Sequence, residues 1–500
     1  MPWLTIILLI FLFWFLIILY VSKKKYRIIR PYGPALMIST TRGKDYIEKW
    51  GKKSFWSKYG LFSIVLTLIF MVLTMALLFW EAILVIGLPK SLAPSPLAAI
   101  GLPGINPFIP ITYGIVAIIV AVVLHELSHG LQSANNDINI KSMGVLLFIV
   151  PIGAFVEPDE EKLAKSKRKI RMKVFSAGPS TNIVVSFVFL VLFILMVSLV
   201  SSPSNGALVT YSGNQSIKAG DLLLSIDGIN VTSSSINYIN IDPGKLVPLN
   251  LIRDSSIKQV YSISGLWVNN VLQGSPAYSA GIKDGEVLIS INNILIRNYS
   301  YFNSFMENTT AGENIFLHFI FNGKDLYYNV TLIDKYKFYE NYYPNYNSPS
   351  YKGKGFLGVS MAYMNSTFSD PKGIISMLSN PFSGGILQGF IFIITLPFIG
   401  LSPFPSYFQS VYLTPFSPIL FWPIANIFYW IFWINLMLGL TNALPLLPLD
   451  GGYVLKDMIS GLLERYKVMK NESIANGVSI ALSLLVLFLI LWQFIYPRIF

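Results

Sequence analysis

Long apolar runs alternate with short basic stretches along most of the chain. About 20 consecutive apolar residues are enough to cross the hydrocarbon core of a bilayer as a helix. The pattern therefore predicts a polytopic α-helical membrane protein. Its predicted membrane segments are an N-terminal anchor at 1–22, a helix at 61–88, a compound region at 111–201, a second compound region at 420–457 and a C-terminal helix at 474–496.

The basic residues predict how these segments cross the membrane. Lys and Arg are concentrated in 23–60, and the positive-inside rule assigns such a loop to the cytoplasm. The helix that begins near Ile111 then runs inward from an outer loop. The basic stretch from Lys456 to Lys470 assigns another loop to the cytoplasm. This topology leaves 384–404 without a permitted crossing, and we expect that segment to re-enter the membrane or lie along its outer surface.

Between 202 and 370 the sequence becomes polar and rich in Asn and Ser, with apolar residues alternating as in β-strands. An internal repeat lies within it: IKAGDLLLSIDG at 217–228 recurs as IKDGEVLISINN at 282–293. Each copy combines a Gly-acid pair, an apolar strand and a turn. We therefore predict an inserted, mainly β, extracytoplasmic region made of two related domains, 202–268 and 269–370.

Composition supports a membrane protein. The chain is 53% hydrophobic and 12% charged, whereas soluble domains are roughly 25% charged. The absence of Cys excludes disulfides, thiolate metal ligands and a cysteine nucleophile. The net charge of +12 could suggest nucleic acid, but the basic residues lie beside apolar runs. We therefore expect a lipid bilayer and no nucleic acid as partner. Abundant Asn, Ile and Tyr suggest an archaeal cell membrane.

The sequence His125-Glu126-Leu127-Ser128-His129 carries the clearest chemical signal. Residues four apart share a helix face, so both imidazoles can reach one zinc ion while Glu126 lies beside it as general base. Zinc polarises a carbonyl and lowers the pKa of a water molecule. Hydrogen-bonded helix histidines without a metal are the alternative. Each ionisable group at mid-membrane costs about 2.5 to 3.5 kcal/mol, which favours a functional reason for three of them.

A catalytic zinc takes three protein ligands and keeps one position open. Asp450 follows an inward-running apolar segment, so it should lie at the depth of His125 and His129. Glu81 comes late in an outward-running segment and should lie near the opposite face. Asp450 is therefore the better third ligand, although a polar cap at a cytoplasmic turn is its alternative role.

Residues 143–158 are apolar but interrupted by Gly144, Pro151 and Gly153, and the segment is too short to span as a helix. Non-helical backbone at membrane depth must be buried in protein or line a cavity. We therefore expect a re-entrant hairpin beside the metal site, with an interfacial loop as the alternative. Such a hairpin could hold an unwound substrate by strand addition. Insertions near Ile149 should then lower turnover and leave zinc bound.

These motifs together resemble the site-2 protease family of intramembrane zinc metalloproteases. The repeated β units, with Ser275-Pro276-Ala277 before the second, resemble PDZ domains. The family pattern Asn-x-x-Pro-x-x-x-Leu-Asp-Gly is matched by 442–451, and its Gly-x-x-x-Asn element by 178–182. The resemblance implies His125, His129 and Asp450 as zinc ligands, Glu126 as catalytic acid and base, and Asn442 and Asn182 as substrate-binding residues.

The resemblance also implies a function. The protein is expected to cut single-span membrane proteins inside the bilayer, as the second cut of regulated intramembrane proteolysis, with its active site toward the cytoplasmic half. The PDZ-like domains would bind peptides or act as a size filter, although no Gly-Leu-Gly-Phe-type loop is apparent. A metal-ion transporter would carry more polar residues along its spans. An inactive scaffold would tolerate the loss of Glu126, which is present.

Overall fold

The computed structural model describes residues 2–24, 26, 28–86, 93–148, 150–202, 205–254, 256–343, 346–468 and 471–499. The chain divides into two compact units. Residues 1–193 and 424–500 form the first, which we call the helical unit, and residues 194–423 form the second, the β unit.

Five helices in the described part of the chain are long and apolar enough to cross a membrane, which indicates an integral membrane protein. They are α3 (Ser54–Leu84), α4 (Ile111–Asn135), α6 (Arg168–Ser198), α13 (Pro418–Ala443) and α15 (Asn471–Ile499). The N-terminal helix α1 (Pro2–Lys24) coincides with the predicted anchor. Shorter helices of the helical unit are α2 (Lys44–Gly51), α5 (Glu160–Lys165) and α14 (Asp450–Arg465).

Two helices have charged residues near their start, and one of them starts earlier than expected. Helix α3 begins at Ser54 rather than at residue 61, and the expected end at Leu88 lies outside the described residues. Helix α6 begins at Arg168, so its first turns contain the basic residues Lys169, Arg171 and Lys173 ahead of its apolar part. Lys and Arg are good helix formers, and their long stems can extend toward a polar surface. A hydropathy pattern therefore marks the apolar part of a helix and misses its charged end.

The interrupted segment 143–158 lies in a β-hairpin. Strands β3 (Ile140–Phe148) and β4 (Val150–Pro158) pair antiparallel, with Val145 opposite Ala154. Strands β1 (Ile29–Tyr32) and β2 (Ala35–Thr40), from the basic segment 23–60, extend the sheet in the order β1-β2-β3-β4. Strand β4 is thus an edge strand. Ile149 lies outside the described residues, and the depth of the hairpin in a membrane stays a prediction.

The β unit contains two sheets with the same strand order. The first is β18-β5-β6-β8-β9, with β7 beside β6, and the second is β17-β10-β11-β13-β14, with β12 beside β11. The strands of the first sheet are β5 (Ala207–Ser212), β6 (Leu222–Ile226), β7 (Ile229–Asn230), β8 (Leu246–Arg253), β9 (Ser256–Ile263) and β18 (Ser366–Ser369).

The strands of the second sheet are β10 (Leu266–Val271), β11 (Val287–Ile291), β12 (Ile294–Leu295), β13 (Asn314–Phe321), β14 (Lys324–Thr331) and β17 (Val359–Tyr363). Between β14 and β17 in sequence, the short strands β15 (Ile333–Asp334) and β16 (Gly355–Phe356) pair with each other. The helices of the β unit are α7 (Pro276–Ala280), α8 (Tyr299–Glu307), α9 (Lys335–Tyr342), α10 (Pro371–Ser379), α11 (Ile386–Thr395) and α12 (Ser406–Val411).

The shared strand order shows that one β domain is inserted into the other. Strand β18 follows the whole second sheet in sequence, yet it pairs with β5 of the first sheet, with Ser366 opposite Ser212. The expected boundary between 268 and 269 falls inside strand β10, which belongs to the second sheet. Sheet membership depends on a partner far along the chain, so the local pattern could not place this boundary.

The internal repeat corresponds to a buried acid in each domain. Asp221 is 1% exposed and accepts hydrogen bonds from the Arg253 guanidinium. At the equivalent position Glu286 is 2% exposed and accepts one from the Tyr328 hydroxyl at 2.9 Å. Burial raises the pKa of the Glu286 carboxyl, and burial together with this bond raises the pKa of Tyr328 to about 12. The repeated Gly-acid pair thus marks the turn that leads into the central strand.

The segment 384–404 contains helix α11, which has 10 residues. At 1.5 Å per residue this helix is about 15 Å long, half the thickness of the hydrocarbon core. It is too short to cross a bilayer, which is compatible with a re-entrant or surface position. Its location stays a prediction.

Candidate metal centre

Two imidazole groups of α4 point at each other. His125 and His129 are four residues apart on the helix, and their Nε2 atoms lie 3.1 Å apart. His125 is 6% exposed. Two imidazole nitrogens at this distance can share one proton in a hydrogen bond, or both can direct a lone pair at a common metal ion.

Asp450 supplies a third ligand atom. Helix α13 ends at Ala443, and α14 begins at Asp450, so the intervening turn redirects the chain. The Asp450 Oδ2 atom lies 3.1 Å from Nε2 of His125 and 3.3 Å from Nε2 of His129. Within the described parts of the chain, these three side chains form the one such group able to hold a metal ion.

The three atoms fit zinc. Zinc in proteins binds His nitrogen and carboxylate oxygen about 2.0 to 2.2 Å away, so two ligands of a tetrahedral ion lie roughly 3.3 Å apart. The observed separations of 3.1, 3.1 and 3.3 Å match this spacing. Two imidazoles and one carboxylate are also a ligand set that leaves a fourth position open.

Gly178 on α6 makes room for this cluster. A Cβ atom at Gly178 would lie 2.4 Å from Nε2 of His129 and 2.6 Å from Nε2 of His125, which is closer than real Cβ contacts. The helix therefore approaches the ligands with bare backbone, as Gly permits. Sequence matching to the family pattern pointed to Gly178, but only the packing explains why Gly is required.

Hydrogen bonds to the Nδ1 atoms orient both imidazoles. The Nδ1 atom of His129 lies 2.7 Å from the carbonyl oxygen of Val174, so Nδ1–H donates there and the Nε2 lone pair faces the cluster. Asn182 is wholly buried behind His125, and its amide nitrogen lies 3.4 Å from His125 Nδ1. If the Asn182 side-chain amide is flipped, its unpaired Oδ1 accepts a hydrogen bond from His125 Nδ1–H. The Nε2 lone pair of His125 is then available to a metal.

Glu126 lies beside the cluster and is bound to the hairpin. The backbone N–H of Val156 in β4 donates to Glu126 Oε2 at 3.3 Å. A cavity of about 300 Å³ opens here. Its lining combines the metal-ligand cluster, the hairpin and the turn before α14: His125, Glu126, His129, Val156, Pro158, Leu163, Val174, Phe175, Asn442, Pro448, Leu449 and Asp450.

The predicted site residues are thus brought together to different degrees. Asn442 lines the cavity, and its amide donates to the Leu438 carbonyl at 3.1 Å. Asn182 lies against His125, and its expected contact with substrate stays a prediction. Glu81 lies outside the cluster and accepts a hydrogen bond from Gln493 at 3.1 Å. His318 of β13 pairs with Asp325 at 2.7 Å, on the β unit.

The redirection before Asp450 depends on two glycines. A Cβ atom at Gly451 would lie 2.3 Å from the Ala443 carbonyl oxygen, and one at Gly452 would lie 2.8 Å from the Leu446 carbonyl carbon. The first turn of α14 therefore packs directly on the backbone that precedes it. In the Leu-Asp-Gly sequence, the ligand Asp450 is followed directly by Gly451, the small residue that allows this close packing.

We expect Gly178→Ala to remove zinc while the protein stays folded, because the added methyl group occupies the space of the imidazoles. The zinc dissociation constant should rise by at least about tenfold, the usual size of an effect on residues around metal ligands. Chelator competition on the purified protein measures this. Gly461→Ala is the matched control, since that helical position has open space around it. Unchanged zinc affinity in Gly178→Ala would contradict the assigned packing role.

Comparison with known proteins assigns the chain to a family. The family model described as peptidase family M50 matches residues 113–486. An uncharacterized protein of Methanocaldococcus jannaschii is 31% identical over 240 residues, which cover 46% of this chain and 63% of that protein. A Borreliella burgdorferi protein, whose name provisionally assigns it as a zinc metalloprotease, is 24% identical over 285 residues, with 46% of this chain and 63% of that protein covered.

The alignments thus reach less than two thirds of the length of either relative. The family match includes both histidines of α4, Glu126 between them, and the aspartate that begins α14. Because the match covers most of the chain and contains the whole ligand cluster, the chain belongs to peptidase family M50, the site-2 protease family of metalloproteases.

Proposed function

We propose that this protein is an intramembrane zinc metalloprotease that hydrolyses peptide bonds in the transmembrane segments of single-span membrane proteins. One observation carries the proposal. The ligand atoms of His125, His129 and Asp450 converge in a cavity that also contains Glu126. Both histidines lie on α4, a helix long and apolar enough to cross a bilayer. Family membership supports the metalloprotease chemistry.

The side chains in the cavity have distinct roles. Bound zinc would supply the Lewis acidity that polarises the scissile carbonyl and activates water. Glu126 takes the proton from the attacking water and delivers it to the leaving amine. The Val156 N–H donates to one oxygen of Glu126 and so orients its carboxylate. The Asn442 amide, which lines the same cavity, is placed to bind the substrate carbonyl oxygen.

Strand β4 gives the substrate a surface to bind. A transmembrane helix must unwind before cleavage, because its carbonyl groups are hydrogen-bonded within the helix. The N–H of Val156 points away from β3 toward Glu126, and backbone groups two residues apart in a strand point the same way. The N–H of Ala154 therefore also faces the free edge of the sheet. An extended substrate segment can add to this edge and reach Glu126.

The orientation in the membrane is part of the proposal. The positive-inside rule supports a cytoplasmic basic segment at 23–60 and, as a consequence, a β unit on the outer face. The metal centre would then lie toward the cytoplasmic half of the cell membrane. A β unit outside could exclude bulky substrates, so the protein would make the second cut after another protease has trimmed the substrate.

The second β domain contains a groove that favours peptide binding. A cavity of about 380 Å³ lies between α8 and the start of β17, and β17 is the edge of its sheet. The sequence Phe356-Leu357-Gly358-Val359 lies along it. This apolar-Gly-apolar loop differs from the Gly-Leu-Gly-Phe pattern at its first and last positions. In the first domain a short 3₁₀ turn, Ser235–Tyr238, occupies the equivalent place of α8.

The loop offers donors for a carboxylate. Gly358 has φ of +84°, and the Leu357 and Gly358 carbonyls accept hydrogen bonds from Ala277 and Leu272. The N–H groups of Leu357 and Gly358 find no acceptor within the described chain. Lys335 and Lys354 line the same cavity. We propose that this groove binds a peptide through its free C-terminal carboxylate and an apolar last side chain.

Substitutions at the metal centre test the protease directly. Glu126→Gln should keep zinc and lose cleavage, because the amide cannot accept the proton. Asp450→Asn should lose both, because a charged ligand is replaced by a weak neutral one. The measurement is cleavage of a model transmembrane substrate by purified protein, with zinc content determined in parallel. Activity in Glu126→Gln, or full zinc and activity in Asp450→Asn, would refute these assignments.

Ala154→Pro tests substrate binding at the strand edge. Proline removes the N–H that faces the free edge, so turnover should fall by at least about tenfold, the cost of roughly 1.4 kcal/mol in substrate hydrogen bonding. Zinc content should stay unchanged. Ala154→Val keeps the N–H and is the control. Equal turnover in both variants would exclude strand addition at this position.

The peptide groove is tested with a fluorescent peptide that ends in a large apolar residue. A free C-terminal carboxylate should bind the full-length protein at least about tenfold more tightly than the same peptide with a C-terminal amide, since the charged acceptor makes the stronger hydrogen bonds. Fluorescence anisotropy measures both. Met306→Glu, which places a negative charge in the groove, should abolish the preference. Equal binding of the two peptides would exclude a carboxylate site.

A further inference from the structure

Helices α6 and α14 are joined by a row of side-chain pairs that leads to the metal centre. From the far end inward these pairs are Arg168 with Glu464, Arg171 with Asp457, and the stacked rings of Phe175 and Tyr453. Residue numbers rise on one helix as they fall on the other, so the two helices run antiparallel. One more turn along this row lie Gly178 and Asp450.

The middle pair is the most completely bonded of the three. The Arg171 guanidinium contacts both carboxylate oxygens of Asp457, with Nε 2.9 Å from Oδ2 and Nη2 bonded to Oδ1. Its Nη1 donates to the carbonyl of Ser166 at 2.8 Å and to that of Ala164 at 3.3 Å. Asp457 is 7% exposed. A two-pronged contact of this kind fixes direction as well as distance.

The position of this pair relates it to the ligand. Asp457 comes seven residues after Asp450 on α14, and Arg171 comes seven residues before Gly178 on α6. Seven residues are two helical turns, so each pair partner lies on nearly the same face as the site residue of its own helix. The contact between Arg171 and Asp457 therefore sets where Asp450 stands relative to Gly178.

Helix α14 packs against α15 and α3, but its start does not continue α13. The six residues before Asp450, at 444–449, are not helical, so α13 does not transmit its own register to α14. A slip of one turn would move Asp450 by 5.4 Å, whereas metal ligands tolerate only tenths of an ångström. Contacts beyond the site therefore define the register, and the pair of Arg171 with Asp457 is the most completely bonded of those that join α14 to α6.

We propose that Arg171 and Asp457 form a positioning pair, which fixes the register of α14 against α6 so that the Asp450 carboxylate reaches His125 and His129. Neither side chain touches the metal cluster or the cavity. The inference rests on the proposed zinc site. A poorly exposed ion pair contributes little net stability, but separating its two charges is strongly unfavourable. Such a pair can therefore fix the position of one helix along another.

The outer pair gives a matched control. Arg168 and Glu464 join the same two helices, but the Glu464 side chain is 62% exposed. An exposed ion pair contributes little, about 0 to 1 kcal/mol. Loss of its charge should therefore leave α14 in place.

The experiment measures zinc affinity by chelator competition, with no substrate present, on the full-length protein in detergent. Wild type is compared with Asp457→Asn, Arg171→Lys, Glu464→Gln and the exchanged pair Arg171→Asp with Asp457→Arg. We expect the zinc dissociation constant to rise about tenfold or more in Asp457→Asn, a typical effect of changes around ligands. Arg171→Lys should give a smaller rise, Glu464→Gln none, and the exchanged pair should recover most of the affinity.

Cleavage of a model transmembrane substrate adds a second readout. At saturating zinc, Asp457→Asn should have a higher kcat than Glu126→Gln, because Asp457→Asn keeps the proton-transfer group Glu126. Wild-type zinc affinity in Asp457→Asn would overturn the inference, as would an equal loss in Glu464→Gln. If Asp457→Asn does not fold, Arg171→Lys and the exchanged pair decide. Wild-type zinc affinity in Arg171→Lys, or a folded exchanged pair that binds zinc no more tightly than Arg171→Lys, also overturns the inference. Absence of zinc binding by wild type would instead refute the metal site itself.

Discussion

The structure depends on bringing three ligand atoms within about 3 Å of one another from two helices far apart in sequence. Helix geometry alone brings two of these atoms together, because His125 and His129 share one face of α4. The third requires the chain to stop being helical after Ala443 and to begin a new helix at Asp450. The glycines around the cluster then allow backbone to approach where side chains would collide.

The hairpin places polar backbone beside the cavity of the metal centre. Pairing within the sheet β1-β2-β3-β4 satisfies most of its backbone groups, and the remaining edge of β4 faces Glu126. One N–H of that edge already donates to the Glu126 carboxylate. In the proposed function this edge, which would be a liability in other settings, offers its partner groups to an extended substrate.

The β unit shows how duplication can produce unequal domains. The two sheets have the same strand order, and one is inserted before the last strand of the other. Their buried acids keep equivalent positions but have different partners, Arg253 in one and Tyr328 in the other. Among the residues that the structure describes, a regular helix, α8, lies beside the edge strand in the second domain alone, and the groove lies there.

The sequence by itself determined the ligands that neighbour each other on one helix, the long apolar helices and the β repeat, because these follow from local periodicity and spacing. It also favoured Asp450 over Glu81 through membrane depth. Tertiary structure alone decided the roles of Gly178 and Asn182, the course of β18 and the contact of Arg171 with Asp457. Each of these depends on a partner more than fifty residues away, and no local pattern records which distant surfaces will meet.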